Sequence, residues 1–223
     1  MLFKNSKEKI FCIGLNKTGT TSLGVFFEQE DYKVAKQRDG ELLLKNYIER
    51  DFASIIKFVE KSHANVYQDV PFSLPYTFPH LDNAFPNSKF ILTVRNNSED
   101  WYNSIFKFHS NFYNKGSKPS YESLLNAEYV YKGWSWNLMN NVFIKDKCSL
   151  YDKNEFIGVY ENHIKMVSDY FKNKPEKLIA VNLSRNEDFQ KLCAFLKINT
   201  TKKNFPEITS GDILSQNFKC DFL

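Results

Sequence analysis

Between Gly14 and Ser22 the chain reads Gly-Leu-Asn-Lys-Thr-Gly-Thr-Thr-Ser. Backbone N–H groups in a turn of this kind converge on one spot, and a helix that starts just beyond it adds its positive dipole end. Thr20, Thr21 and Ser22 bring hydroxyl donors, and Lys17 brings a mobile point charge. Asn16, Thr18 and Gly19 complete a segment suited to a phosphate or sulfate group. An ATPase loop reads G-x-x-x-x-G-K-[ST]. Here Thr20 follows Gly19, and the lysine precedes that glycine, so it approaches the anion from a different side.

A second group of residues lies further along. Ser88-Lys-Phe-Ile-Leu-Thr-Val-Arg95 reads as a strand that ends in a guanidinium, and Trp101-Tyr-Asn-Ser104 follows on a helix. An arginine at the C-terminal end of a parallel strand points into the ligand crevice and can fork onto phosphate oxygens. Asp69, in Tyr67-Gln-Asp-Val-Pro71, ends another strand at the same sheet edge.

These positions require elements to carry them. Ile10–Leu15 is a short apolar run, read as a buried parallel strand, and Leu23–Glu30 reads as the helix after the loop. Lys33–Lys36 is a short second strand, and Glu41–Lys61 a long amphipathic helix with Leu44, Tyr47, Ile48, Phe52, Ile55 and Val59 on one face. Asn65–Asp69 is a third strand, and His80–Phe85 a short helix. Ser98 caps a helix from Glu99. Residues 114–120 form a mobile loop, followed by helices over 121–131, 134–145 and 155–171. Lys177–Leu183 is the last strand, and Glu187–Leu196 the last helix. Strands alternating with helices predict an α/β, P-loop-like three-layer fold, its central, mostly parallel sheet flanked by helices on both faces. The expectation is one domain over 1–223, with 98–171 as a helical flank or lid.

Composition narrows the function classes. The chain has 223 residues, 42% hydrophobic and 25% charged, with a net charge of +4. Its basic residues are scattered and form no stripe, which argues against a nucleic-acid scaffold. The 21 Phe place phenylalanine in core positions that leucine often takes elsewhere. Cys12, Cys148, Cys193 and Cys220 form no C-x-x-C pair and no zinc spacing, so free thiols, no metal and a reducing, cytoplasmic setting are expected. The N-terminus has no apolar signal core, and no run reaches membrane-span length. Asn16-Lys17-Thr18 is a glycosylation sequon inside the loop, where a glycan would block it.

Lys17-Thr-Gly-Thr-Thr-Ser-Leu23 resembles the 5'-phosphosulfate loop of sulfotransferases that use 3'-phosphoadenylyl sulfate (PAPS). The resemblance implies that Asn16 to Ser22 hold the 5'-phosphosulfate and that Lys17 steadies the leaving group. It also implies that Arg95 and Ser104 bind the 3'-phosphate of PAPS and of its product PAP. The family usually places that serine eight residues after the arginine, and here the gap is nine, which leaves Ser98 as a substitute. Tyr160-Glu-Asn-His163, Leu192-Cys-Ala-Phe-Leu196 and Phe205-Pro206 resemble later parts of the family, with Phe189 where a Trp is expected.

Sulfonate transfer to a hydroxyl or amine needs alignment, charge stabilisation and a base, but no metal and no protein nucleophile. Asp69 is the first candidate base, with His163, which matches a family position, then His80 and His109 as alternatives. Trp101, Trp134 and Trp136 receive no role. Segments 36–85 and 110–150 supply the walls for a small-molecule or glycan acceptor. The competing readings are an ATP-dependent small-molecule kinase, which needs a lysine this loop does not place, and an inactive nucleotide-binding relative.

Overall fold

A computed structural model describes residues 8–208. Cys220 and the end of the tail lie outside the described residues. Four strands form one parallel sheet: β1 (Ile10–Cys12), β2 (Val66–Tyr67), β3 (Lys89–Thr93) and β4 (Leu178–Val181), in the order β2-β1-β3-β4. The register pairs Phe11 with Tyr67 on one side and with Phe90 on the other.

Side chains alternate across this sheet with period two. Ile10, Cys12, Val66 and Ile91 face α1 (Thr20–Gln29) and α10 (Asn186–Leu196), where they pack with Phe26, Phe27, Phe189 and Leu192. Phe11, Tyr67, Phe90 and Leu92 pack on the other face with α4 (Phe52–Lys61), α5 (Thr77–Ala84) and α9 (Lys153–Phe171). Both faces of the strands are therefore covered, which is why β1 and β3 read as unbroken apolar runs. Phenylalanine does fill the centre: Phe11 stands 5.4 Å from Tyr67 and 5.5 Å from Phe90, ring to ring. Phe189 meets Phe26 and Phe205 edge to face at 5.3 and 5.1 Å, a packing role for the residue found where a Trp was expected.

The chain moves outward from β1 to β2 on one side and returns to β3 on the other. The reversal opens a crevice beyond the C-terminal ends of β1 and β3, the usual ligand position in an open parallel sheet. Gly14 closes that crevice at its base. A Cβ there would fall 2.1 Å from the Thr93 hydroxyl and 2.4 Å from its carbonyl oxygen, so only glycine lets the two strand ends approach.

Several expectations need correction. The helix expected over 41–61 is two, α3 (Leu44–Ile48) and α4, preceded by α2 (Gln37–Glu41), which ends where it was expected to begin. Arg50 takes a left-handed φ of 61°, and the Asp51 carboxylate caps α4 by accepting from the Ser54 N–H at 3.1 Å. The apolar spacing ran through the break at 49–51 because α3 and α4 face the same core. The strand expected over 33–36 is a single bridge from Val34 to Val66. Helix α1 starts at Thr20, so Thr20, Thr21 and Ser22 form its first turn. Asn97, not Ser98, caps α6 (Ser98–Asn114), accepting from the Asp100 N–H at 2.7 Å. The helices expected over 121–131 and 134–145 are the shorter α7 (Tyr121–Leu125) and α8 (Trp134–Val142). The loop expected over 114–120 does join α6 to α7, and Asn114 Nδ2 donates across it to the Lys118 carbonyl at 2.7 Å.

Candidate active site

The loop after β1 is held from three directions. Trp101 on α6 donates its indole N–H to the Asn16 carbonyl at 2.9 Å. The Thr18 hydroxyl lies 2.6 Å from the Leu15 carbonyl and 2.5 Å from the Thr93 hydroxyl. From below, a His163 ring nitrogen lies 2.7 Å from the Ile13 carbonyl. So anchored, Lys17 adopts φ 69°, a left-handed conformation uncommon outside glycine, asparagine and aspartate. Gly19 follows as the N-cap of α1 and supplies no side chain to cap it, and the first turn of α1 carries no acidic residue. The free N–H groups and positive dipole end of a ten-residue helix thus face the crevice without an anion from its own turn.

Arg95 reaches the same turn. Its Nε donates to the Lys17 carbonyl at 2.7 Å, and an NH2 nitrogen lies 3.4 Å from the Ser104 hydroxyl. Its own backbone N–H donates to the Tyr160 hydroxyl at 2.9 Å. Tyr160 stacks on Trp101 at 4.7 Å, so α9 and α6 together fix the end of β3. Ser104 lines the cavity beside Arg95, and Ser98 does not.

Asp69 follows β2 with φ 56° and is almost fully buried. Its Oδ1 accepts from Asn16 Nδ2 and from the Thr20 hydroxyl, each at 3.0 Å. Burial raises its pKa to about 6; the Thr20 bond opposes that shift, Glu41 adds to it, and Lys17 opposes it. Lys17 shows the converse. Burial and then the nearby Arg95 lower its pKa to about 8, against the pull of Asp69. Its ammonium lies 3.8 Å from the centre of the Phe108 ring, a cation–π contact that offsets part of its desolvation.

These groups share one cavity of about 220 Å³. Asn16, Lys17, Gly19 to Ser22, Arg95 and Ser104 line one end, and Asp69 lies among them. Thr18 is turned down into the protein. His163, buried beneath the loop, does not line the cavity; burial lowers its pKa, and its Nδ1 has no hydrogen-bond partner among the described residues. His80 stacks on Phe52 at 3.9 Å, outside the cavity. His109 does line it, kept neutral by burial and by Lys17.

The other end was not assigned from sequence. Phe112 and Tyr113 reach it from α6, Trp134 and Met139 from α8, and Glu41 from α2, with Phe108 beside Lys17 between the two ends. The Tyr129 hydroxyl donates to Glu41 Oε1 at 2.7 Å, and Trp134 donates to the Glu41 carbonyl at 2.9 Å. Most of these come from the segments expected to form the walls, but aromatic residues at helical spacing carry no local mark that separates a wall from a core. Among the described residues no cluster of His, Cys, Asp and Glu suits a metal, and no helix is long and apolar enough to cross a membrane. Cys12, Cys148 and Cys193 are free thiols.

A family described as a sulfotransferase domain matches residues 9–213, nearly the whole chain. No curated protein matches it.

Proposed function

This chain belongs to the sulfotransferase family, and from that premise we propose that it moves a sulfonate group from PAPS to an acceptor hydroxyl or amine by in-line displacement. One observation carries the reading: two cations, Lys17 and Arg95, converge on the uncapped N-terminus of α1. Burial first and then the nearby Arg95 guanidinium raise the cost of the Lys17 charge, as its lowered pKa registers. A donor that carries one anionic group at the loop, beside Lys17, and a second beside Arg95 offsets that cost and satisfies the free N–H groups of the helix. The residues present therefore fit a phosphosulfate.

When bound, PAPS supplies the sulfonate and a phosphate leaving group. The bond from acceptor oxygen or nitrogen to sulfur forms as the bond from sulfur to the phosphate oxygen breaks. The loop N–H groups and the hydroxyls of Thr20, Thr21 and Ser22 hold the 5' end. Lys17, still largely an ammonium at neutral pH, stabilises charge on the departing oxygen. Arg95 and Ser104 hold the 3'-phosphate. Asp69 takes the acceptor proton: its pKa of about 6 keeps it mostly ionised at pH 7 yet basic enough to accept. Both bonds to Asp69 fall on Oδ1, so Oδ2 receives no hydrogen bond from the described residues.

His163 acts one step removed, through the Ile13 carbonyl on which the loop begins. A cytoplasmic location accords with Asn16, whose side-chain amide is committed to Asp69, so a glycan on it would dismantle the site.

The test is incubation of purified protein with labelled PAPS and a panel of phenols, alcohols, sugars and amines. Transfer to at least one acceptor is expected, and Lys17→Ala should cut it by about a hundred- to a thousandfold, the usual worth of one charge-stabilising group. Full activity in a folded Lys17→Ala protein would refute the mechanism.

A further inference from the structure

The far end of the cavity contains a feature that the donor does not explain. Glu41 is only 3% exposed, yet its side chain lines the cavity. A carboxylate is costly to bury without compensation. Its position is enforced by Gly40, where a Cβ would come within 2.9 Å of the Val70 carbonyl oxygen and 3.3 Å of the Phe72 ring; α2 thereby presses against the turn that carries Asp69.

Glu41 Oε1 accepts from Tyr129 at 2.7 Å and from Gln37 at 2.8 Å. An ionised carboxylate has about four acceptor sites, and these two bonds occupy half of them. Its other oxygen, Oε2, faces Arg38 at 3.7 Å, beyond hydrogen-bond length. Arg38 lies on the solvent side, with a side chain 43% exposed, and donates to the Tyr129 carbonyl at 2.5 Å. The counter-charge is therefore screened, and burial still pushes the Glu41 carboxyl above its ordinary range. Around it stand the rings of Phe112, Tyr113, Tyr129 and Trp134, an apolar wall with negative ring faces that suits an organic cation.

Resting on the sulfotransferase reading, we propose that the acceptor is a small hydroxylated amine with an apolar or aromatic body, its ammonium held by Glu41 against the aromatic wall and its hydroxyl presented to Asp69. The ammonium is not the reacting group; a protonated nitrogen has no lone pair to attack sulfur. The hydroxyl oxygen gains the sulfonate and loses its proton to Asp69. The two carboxylates are within electrostatic reach of each other, so a cation near Glu41 also keeps Asp69 ionised.

The experiment compares 4-hydroxyphenylalkylamines having one to three methylenes with neutral 4-alkylphenols and 4-hydroxyphenylalkanoates of the same length. The full chain is used, at pH 7.5. With PAPS, kcat/KM for the best amine should exceed that of its neutral partner at least tenfold, with the acid poorest. In Glu41→Gln the amine-to-neutral ratio should collapse toward one. Thermal shifts of the complex with PAP provide a readout independent of turnover: the amine should stabilise it more than the neutral phenol, and Glu41→Gln should remove the difference. Equal or better turnover and binding of the neutral phenols would overturn the acceptor assignment while leaving the sulfotransferase reading intact. No thermal shift from PAP itself would instead defeat the donor reading. If the Gln variant does not fold, the wild-type comparison alone decides.

Discussion

The two ends of the cavity are built by different means. The donor end is made largely of backbone: a strand end, a left-handed turn and the first turn of α1, with Arg95 reaching across from the neighbouring strand. The acceptor end is made of side chains from α2, α6, α8 and the segment around Tyr129, brought together only by the tertiary fold. A backbone device leaves a contiguous mark in the sequence, because its turn needs particular residues in a particular order. A wall assembled from distant helices leaves none. Substitutions at the donor end should accordingly change donor affinity and the chemical step, and substitutions at the acceptor end should change acceptor KM alone.

The largest effect is expected at the point where the ends meet. Asp69→Asn should lower kcat about a hundred- to ten-thousandfold. The pH dependence sharpens this. Asp69 works ionised, so kcat/KM should rise with pH through about 6. Lys17 works protonated, so kcat/KM should fall above about 8. The residual activity of Asp69→Asn should lose the acidic limb, and Lys17→Arg should move the basic limb upward, since a guanidinium stays charged. A wild-type profile flat from pH 5 to 9 would detach both residues from the reaction.

Next in size is His163. Its loss leaves the Ile13 carbonyl buried without its partner, at about 1–3 kcal/mol, so His163→Ala should lower Tm and weaken PAP binding. The acidic limb should persist in the variant; its disappearance would make His163 the base and Asp69 a structural group. The smallest effect should come from Tyr129→Phe, which removes one donor to Glu41. Acceptor KM should rise a few-fold, consistent with about 1 kcal/mol for one hydrogen bond. PAP affinity, followed by calorimetry, should not move; a matching loss there would erase the distinction between the two ends.

The same contrast explains what was legible beforehand. β1, β3 and the parallel α/β architecture follow from apolar runs at the right spacing, and the loop from its composition. Arg95 and Asp69 were placed at the sheet edge of the loop from strand ends, and together with Lys17 of the loop they line one cavity. The break of the 41–61 helix was not legible, because Arg50 and Asp51 interrupt the backbone while the apolar face continues past them. α2 ends at Glu41, where the longer helix was expected to begin, so the periodicity gave that carboxylate no mark of its own. His163 lined up with a family position, but position along a helix does not say that its ring turns under the loop. A count of residues from Arg95 did not separate Ser104 from Ser98; only the tertiary fold puts Ser104 on the cavity wall.

The central claim is that the donor is gripped at both ends, the 5' end by residues 14–23 and the 3'-phosphate by Arg95. Calorimetric titration of PAP and of 5'-AMP, which lacks the 3'-phosphate, into wild type and Arg95→Ala tests it directly. Wild type should bind PAP at least tenfold more tightly than 5'-AMP, and Arg95→Ala should lose most of that preference while keeping its affinity for 5'-AMP. Equal binding of the two nucleotides by wild type, or an undiminished preference in a folded Arg95→Ala protein, would contradict the account.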